Sequence, residues 1–451
     1  MNSVGQIYLT SNLIDRLAIP ITRLITVRVG VKTVLCQLVI RNNQRSGYVL
    51  SPQLVNIFNL SNINKLQIRY DYDNDMIHIG PIIGIMTEFL PNEPEYKPNS
   101  VQAELIYLSN LGLKLPAQCY LFTPASINWT NKTVRGYTYR KLINQEQGSW
   151  VSSMYPLPDI VYDRISSRKG EARARVRSTK RKLMNLPYLK YFNPAFLNKW
   201  KVHQLLQQND SLTPYLPETK FLNLSNLTDM ISRYSTLYLK PSNGSQGNGI
   251  IKVVGEQNGR LHYTVYRRGK HFGHADNSAK LMTATRYTRE RRPYIVQEGI
   301  NLTTYLNAAF DIRIIYQKNV QGEWLISKKF VRVAPHGSSV ANLSRGGTAE
   351  ISKKVFASVF NRDEELIKTK NEELKNICKI VAETLETASN KIYGELGLDI
   401  GIDKEGNFWL IEVNSKPRKT TETELSQGIV RNTFRRPLQY AIYLAGFGKR
   451  K

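Results

Sequence analysis

Alternating apolar and polar residues mark strands from early in the chain. Ile25, Val27, Val29 and Val31 alternate with Thr26, Arg28, Gly30 and Lys32, and Leu66, Ile68 and Tyr70 repeat the pattern. A polar turn at Asp73-Asn74-Asp75 leads to Ile77 and Ile79. This period of two predicts a β-rich domain over residues 1–85, arranged as a small barrel or meander. The character changes between Pro91 and Asn99, a connector rich in Pro, Asn and Glu. Beyond it, Val101 to Leu111 reads as a helix, and Ala117 to Phe122 and Ile160 to Tyr162 read as strands. That alternation predicts a small α/β unit over 95–165.

Later the period lengthens. Leu374, Ile377, Val381, Leu385, Ala388, Ile392 and Leu396 recur at steps of three and four, one face of a long amphipathic helix that delivers the chain to Asp399. From Asp399 to Asn414 the period returns to two, in two strands around a tight polar turn. If Lys404 to Asn407 form a four-residue turn, Asp403 faces Phe408, and Asp399 lies opposite Glu412. Asn414 then shares the face of Glu412. Carboxylates facing each other across a sheet repel, and a divalent cation removes that repulsion. Carboxylate and amide oxygens suit Mg²⁺. A solvated hairpin whose acids are opposed by chance is the competing reading, and the spacing alone leaves both open.

A second pattern bears on that choice. Lys240 ends one apolar run, a loop containing Gly244, Ser245, Gln246 and Gly247 follows, and a second apolar run starts at Ile250. Two strands joined by a flap fit this order, and glycines let backbone N–H groups approach an anion. No Gly-Lys-Ser/Thr closes the loop, so it is not a Walker A sequence. A plain hairpin turn is the alternative for the loop alone. The preceding lysine and the distant acid pair make the combination more specific than either part.

Together these residues resemble the ATP-grasp superfamily of ATP-dependent ligases over roughly Lys199 to Pro417. In detail they resemble the YheC/YheD family of spore-coat-associated ATP-grasp proteins. The likeness is carried by Asn198-Lys199-Trp200-Lys201, Leu216-Pro217-Glu218-Thr219, Leu239-Lys240-Pro241 and Val296-Gln297-Glu298-Gly299-Ile300. Asp311-Ile312-Arg313 and Glu412-Val413-Asn414-Ser415-Lys416-Pro417 complete it. The Asp-Ile-Arg segment and Asn342-Leu343-Ser344-Arg345-Gly346-Gly347 also resemble RimK-type glutamate ligases.

The resemblance implies an α+β protein, with an ATP-grasp fold over 193–451 preceded by the small α/β unit and the β-rich N-terminal domain. It implies ATP and Mg²⁺, and an ADP-forming reaction in which a carboxylate attacks the γ-phosphate and an amine or thiol then displaces phosphate from the acyl phosphate. Such chemistry needs cations around migrating charge more than a protein nucleophile. Lys199 and Lys240 match the lysines that reach the α- and β-phosphates, with the register between Lys199 and Lys201 open. Gly244, Ser245, Gln246 and Gly247 match the loop over the phosphates. Gln297, Glu298, Gly299 and Ile300 match the hinge whose backbone recognises adenine. Arg313 and Arg345 are the candidates for the transferring phosphate and the substrate carboxylate, where a planar fork suits the geometry. Arg332 is a further candidate, Asn342 orients phosphate or substrate, and Asp311 holding Arg313 in place is the structural alternative. Asp399, Glu412 and Asn414 form the metal set, with Glu412 bridging two ions.

Composition widens the list of partners. With 451 residues, 41% of them hydrophobic, the chain has material for about three domains with proper cores. Its 63 Lys+Arg against 36 Asp+Glu give a formal net charge of +27, which favours acidic partners without choosing among nucleotides, anionic polymers, nucleic acid and anionic surfaces. Part of the excess lies in a stretch over 166–190. There Arg168, Lys169, Arg173, Arg175, Arg177, Lys180, Arg181 and Lys182 face one acid, Glu171. A solvated basic helix or linker and a polyanion site are the two readings, and the lack of interleaved aromatics weakens single-strand nucleic acid as the polyanion. Cys36, Cys119 and Cys378 lie far apart, as free thiols do in a reducing compartment. His271 and His274 read as exposed loop, not as a zinc site. No secretory leader pattern or membrane-length apolar run is evident. A cytoplasmic protein is expected, and the resemblance adds association with the spore coat. The expected partners are a carboxylate substrate, an amine or thiol acceptor, and an acidic polymer or spore-coat protein. Two other classes stay open: a structural coat component with a retained nucleotide site, and a polyanion-binding protein. Lys240, Asp399, Glu412 and Asn414 favour the enzyme, because a binding module has no need of opposed carboxylates.

Overall fold

The computed structural model describes residues 4–42, 47–60, 65–93, 95–141, 148–244, 247–267, 269–289, 292–335, 347–422 and 426–448. The first sheet contains β1 (Gln6–Thr10), β2 (Leu24–Val29), β3 (Lys32–Arg41), β4 (Tyr48–Leu50), β5 (Gln67–Asp71) and β6 (Met76–Gly80), with helices α1 (Ser11–Leu17) and α2 (Pro52–Phe58) between strands. Its order is β4-β1-β3-β2-β6-β5. The expected meander or barrel is not what forms, because β1 runs parallel to β3 and β2 parallel to β6. Parallel neighbours require crossovers. Alternation fixes which face of a strand is buried but does not choose its partner.

The second sheet alternates helix and strand. It comprises β7 (Ile82–Met86), α3 (Val101–Gly112), β8 (Gln118–Phe122), β9 (Ile127–Asn128), β10 (Thr133–Arg140), β11 (Ser149–Pro156), β12 (Ile160–Asp163) and β13 (Lys190–Phe192). Strands β8, β7, β12 and β13 are adjacent and parallel. The basic run forms two helices, α4 (Arg168–Glu171) and α5 (Ala174–Met184). It is not wholly solvated: Lys180 is buried and pairs with Asp163 and Glu171, both at 2.7 Å.

The third sheet follows α6 (Lys199–Leu206). Its members are β14 (Thr219–Phe221), β15 (Thr236–Pro241), β16 (Ile250–Gly255), β17 (Leu261–Tyr266), β18 (Lys270–Ala275) and β19 (Tyr294–Glu298), with helices α7 (Leu224–Arg233), α8 (Ser278–Ala284) and α9 (Arg286–Arg289). All of its pairings are antiparallel. Leu237, Leu239, Val253 and Val296 pack against Leu227 and Met230 of α7 and Leu281 of α8. Strand alternation turns Lys240, Ile295 and Gln297 the other way, into a cleft. His271 and His274 sit on strand β18 and not on a loop, and His274 stacks edge-on against His262 with ring centroids 4.0 Å apart.

The fourth sheet is built from β20 (Thr304–Tyr305), β21 (Ala308–Lys318), β22 (Trp324–Val333), β23 (Thr348–Glu350), β24 (Glu395–Ile402) and β25 (Phe408–Asn414). Helices α10 (Ser352–Val359), α11 (Glu364–Ser389) and α12 (Gln427–Leu444) accompany it. Asp363 caps α11 by accepting from the Leu366 N–H, and Glu364 and Glu365 suit the positive end of its dipole. Leu374, Ile377, Val381 and Leu385 bury the predicted face against this sheet. The helix stops earlier than its periodicity suggests. Asn390 takes a left-handed conformation with φ 50°, so Ile392 lies beyond the helix and Leu396 lies in β24. Short apolar repeats cannot tell a helix's last turn from the strand that follows.

A buried ionic network fastens the second sheet to the fourth. Lys416, just after β25, reaches Asp163 at 2.7 Å and Glu171 at 2.9 Å. Lys419 reaches Glu395 at 2.8 Å and the Tyr162 hydroxyl at 2.7 Å. Arg164 donates to Glu395 at 2.7 Å, and the Gln317 amide donates to its other oxygen at 2.9 Å. Burial alone pushes the Glu395 carboxyl up, but Lys419 and Arg164 outweigh it and hold it below the ordinary range.

Candidate active site

A narrow cleft with a cavity of about 50 Å³ separates the third sheet from the fourth. Val202, Leu206, Leu216, Pro217, Ile295, Leu410 and Val413 make its walls apolar, while Lys199, Lys240, Gln297 and Glu412 supply charge and hydrogen bonds. Flat apolar walls with a few placed polar groups are what a small-molecule site requires.

Asp399 does lie opposite Glu412. The route to that register differs from the expected four-residue turn. Ile402, not Asp403, pairs with Phe408, so the turn holds one residue more. Asp403 stays in the turn and accepts from the Glu405 and Asn407 N–H groups at 3.0 and 2.8 Å. The register then shifts by one between Asp399 and Ile400, and this bulge restores the Asp399–Glu412 pairing. Phe408, Leu410 and Val413 join Leu398, Ile400 and Ile402 in the core. Asn414 pairs with Gly397, where a Cβ would come within 3.2 Å of an Arg313 guanidinium nitrogen.

The two acids are not left to repel each other. Lys199 meets Glu412 at 2.5 Å, Arg313 Nε lies 2.9 Å from Asp399 Oδ1, and Arg332 lies 2.9 Å from Asp399 Oδ2. The expectation of unrelieved strain without metal is therefore corrected: cations of the chain itself already neutralise the pair. Burial pushes the Glu412 carboxyl up, but Lys199, Arg313 and Lys240 together hold it below the ordinary range. The Asp311–Arg313 pairing is corrected too. Asp311 instead accepts two bonds from Arg332, at 2.6 and 2.8 Å. Burial and the neighbouring Asp399 raise the Asp311 carboxyl to about 6 against the pull of Arg332 and Arg313.

The lysines resolve clearly. Lys199 opens α6, capped by the Asn198 side chain, and points at Glu412, while Lys201 is exposed. Lys240 Nζ donates to Gln297 Oε1, and burial together with Lys199 lowers its amine to about 8. The flap is flanked by antiparallel β15 and β16. Gly244 packs where a Cβ would meet Pro241 at 2.5 Å, and Gly247 has φ 68°. Ser245, Gln246, Asn342 and Arg345 lie outside the described residues. At the proposed hinge, Glu298 N–H donates to the Glu218 carbonyl and Gly299 N–H to the Thr236 carbonyl, both at 2.9 Å. The Glu298 carboxylate accepts from the Glu218 N–H at 3.0 Å. These N–H groups are engaged within the protein, and Ile300 follows directly with its carbonyl accepting from Leu302.

Two groups at the cleft escaped sequence reasoning. His203 lies one turn after Lys199 on α6 and lines the cleft. Burial lowers its imidazole to about 4. The signal was available, because residues four apart share a helix face. Arg168 donates to the Leu197 carbonyl at 2.6 Å and lies close enough to Glu412 to feel its charge. A charge run offers no way to single out such a member.

Whether the acids could hold a metal can be tested on their surroundings. Asp399 Oδ1 is buried and has no hydrogen-bond partner among the described residues despite its closeness to Arg313. Such an orphaned oxygen is costly, and coordination would satisfy it. No group of three His, Cys, Asp or Glu is gathered among the described residues. Asp399, Glu412 and the Asn414 amide would therefore share an ion with ligand oxygens, which is how Mg²⁺ is ordinarily held. The residues fit that ion.

Comparison with known proteins agrees with this geometry. Residues 188–444 match the model of the YheC/D-like ATP-grasp family, more than half the chain, and the chain belongs to that family. The α+β ATP-grasp fold is thereby shown. Among curated relatives, the chain is 28% identical over 420 residues to endospore coat-associated protein YheD of Bacillus subtilis (strain 168), covering 92% of this chain and 90% of that one. It is 25% identical over 350 residues to endospore coat-associated protein YheC of the same organism, covering 76% and 94%. Among solved structures, D-alanyl-alanine synthetase A from Vibrio cholerae aligns at 14% identity with a TM-score of 0.47, covering 82% of this chain and 98% of that one. No helix among the described residues is long and apolar enough to cross a membrane.

Proposed function

We propose that this chain is an ATP- and Mg²⁺-dependent, ADP-forming ligase that joins a carboxylate to an amine or thiol through an acyl phosphate. The observation that carries the reading is the meeting of opposed Asp399 and Glu412 with Lys199 and Lys240 at one polar end of an apolar cleft. A bound Mg²⁺ would polarise phosphate oxygens and stabilise the charge that develops on them. Asp399, Glu412 and Asn414 would hold that ion. Lys199 exchanges its contact with Glu412 for phosphate, and Lys240 contributes a buried ammonium. Arg313 orients Asp399 and offers a guanidinium to the transferring group, with Arg345 and Asn342 completing the acceptor side. Gly244, Ser245, Gln246 and Gly247 cover the phosphates and exclude water. Gln297 to Ile300 border the base, where the side chains carry more of the recognition than the engaged N–H groups do.

The names of the relatives favour a component associated with the endospore coat as the substrate or the location. They also support a second reading, a coat-associated structural protein that keeps a nucleotide site. A screen of ADP release against amino acids, peptides and acidic metabolites separates the two. The ligase reading expects ADP release that depends on an acceptor and is lost in Asp399→Asn. Thermal stabilisation by Mg-ATP with no ADP release for any acceptor would support the structural reading. Absence of both effects would remove the nucleotide site.

A further inference from the structure

The basic run of the sequence forms a helix, α5, whose charges are arranged unlike those of its neighbours. On α7, α8, α10 and α11 a cation is answered by an acid one turn away: Arg233 by Asp229, Lys280 by Asp276, Lys354 by Glu350 and Lys375 by Glu372. Helix α5 contains no acid at all. Its Val176, Thr179, Lys180 and Leu183 are buried, with Val176 and Leu183 in the core shared by the first and second sheets. Lys180 pairs inward with Asp163 and Glu171. At the helical period the opposite face carries Arg177 and Arg181 in one row and Arg175 and Lys182 in a second, with only Ala174 and Ser178 between them. These four cations are exposed, and among the described residues none has an acid within ion-pair distance. Arg177 and Arg181, four residues apart, repel each other without relief. Both ends of the helix are pinned, by Arg173 on Glu88 at 2.8 Å and by Lys182 over the Trp129 ring at 5.2 Å.

We propose that this outward face of α5 docks an acidic polypeptide segment. Two rows of cations on either side of small side chains let an extended chain lie close to the helix, with carboxylates reaching both rows. Three of the four cations are arginines, whose planar fork takes a carboxylate through two hydrogen bonds. The face carries no aromatic side chain on which bases could stack, which sets nucleic acid behind polypeptide as the occupant. The position suits such a partner. Helix α4 leads directly into α5, and its Arg168 donates to the Leu197 carbonyl and feels the charge of Glu412. The docking face therefore starts a short stretch of chain from the cleft. Under the ligase reading the docked segment belongs to the protein that is modified, but the docking itself does not depend on that reading.

The test is fluorescence anisotropy of a labelled oligoglutamate, without nucleotide, at low and at physiological salt. Wild type should bind it, more weakly as salt screens the contact, and more tightly than oligothymidylate or duplex DNA of equal charge. The double variant Arg177→Ala/Arg181→Ala, checked for an unchanged melting temperature, should bind about tenfold or more weakly. As a control for net charge, Lys368→Ala/Lys379→Ala removes two exposed cations from α11 and should bind as wild type does. Full affinity in the arginine variant, an equal loss in both double variants, tighter binding of either nucleic acid, or no binding of the oligoglutamate each overturns the inference. Because no nucleotide is present, these outcomes are separate from ADP release, and failure of the docking face is distinguishable from failure of the ligase reading.

Discussion

Two groups of buried charge sit on β24, and they follow opposite rules. Around Glu395 both carboxylate oxygens are occupied, by Tyr162, Arg164, Gln317 and Lys419. Around Asp399 the cations Arg313 and Arg332 are close, yet Oδ1 makes no hydrogen bond among the described residues. The first cluster fixes how the second sheet meets the fourth. The second cluster lies four residues further along the strand, where Asp399 pairs with Glu412 of the cleft, and it keeps coordinating capacity in reserve. What separates the two groups is whether the carboxylate oxygens themselves are occupied, not burial or charge count, since both groups are buried and charged, and Arg164 Nε and Gln317 Oε1 beside Glu395 are also without a partner among the described residues.

Removing a partner of Glu395 should have the largest effect on stability. Lys419→Met leaves Glu395 short of a cation in a dry interior, at a cost of about 3–5 kcal/mol. Urea unfolding measures it, and a midpoint within error of wild type would contradict the distinction between the clusters. Asp399→Asn should invert the outcome: little loss of stability, because Arg332 keeps Asp311, but a fall in ADP release of about a hundredfold or more once an acceptor is known. Glu412→Gln should behave alike. A variant that melts early yet turns over normally would assign Asp399 to the structural class.

Lys240→Ala probes the phosphate end, where a charge-assisted contact contributes about 1.5–3 kcal/mol to ATP binding. The wild-type amine titrates at about 8, and phosphate binds its charged form. ATP affinity should fall as pH rises from about 7 to about 9.5, and this slope should vanish in the variant. Calorimetry across that range decides.

The smallest effect concerns Asp311. Its carboxyl, ordinarily at 3.8, is raised to about 6 in the fold. The native state therefore keeps a proton that the unfolded chain has released, and stability is lost as pH rises through that window. The stability of wild type relative to Asp311→Asn should drop by on the order of 2 kcal/mol between about pH 4 and pH 6, then level off. A flat difference would mean that Arg332 holds Asp311 ionised throughout.

The cleft-forming strands were the most legible part of the sequence. Lys240 stands before the flap where alternation puts it, and Asp399 does lie opposite Glu412, although a longer turn and an offsetting bulge, not the counted four-residue turn, bring it there. The cations on Asp399 were not legible, because Arg313 and Arg332 come from neighbouring strands whose pairing a single sequence does not state. The same limit explains the misjudged first sheet, where parallel partners are distant in the chain. Lys180 read only as one member of a basic run and Lys416 only as part of the family resemblance, and only the fold brings Asp163 to them.

The single extra residue in β25 has a consequence of parity. Just after the turn, Phe408 and Leu410 point into the core, and strict alternation would send Glu412 after them. Ile411 breaks that beat, so Val413 joins the core with Phe408 and Leu410 while Glu412 pairs with Asp399. Turn length and bulge therefore form one combined setting. A four-residue turn with no bulge would also bring Asp399 opposite Glu412, but it would pair Phe408 with Asp403 and so put Phe408 on the face of Asp399 instead of the face of Ile400 and Ile402. A chain that varies the turn must leave the bulge to absorb the difference, and the spacing of apolar residues at 408, 410 and 413 is the trace this leaves in the sequence.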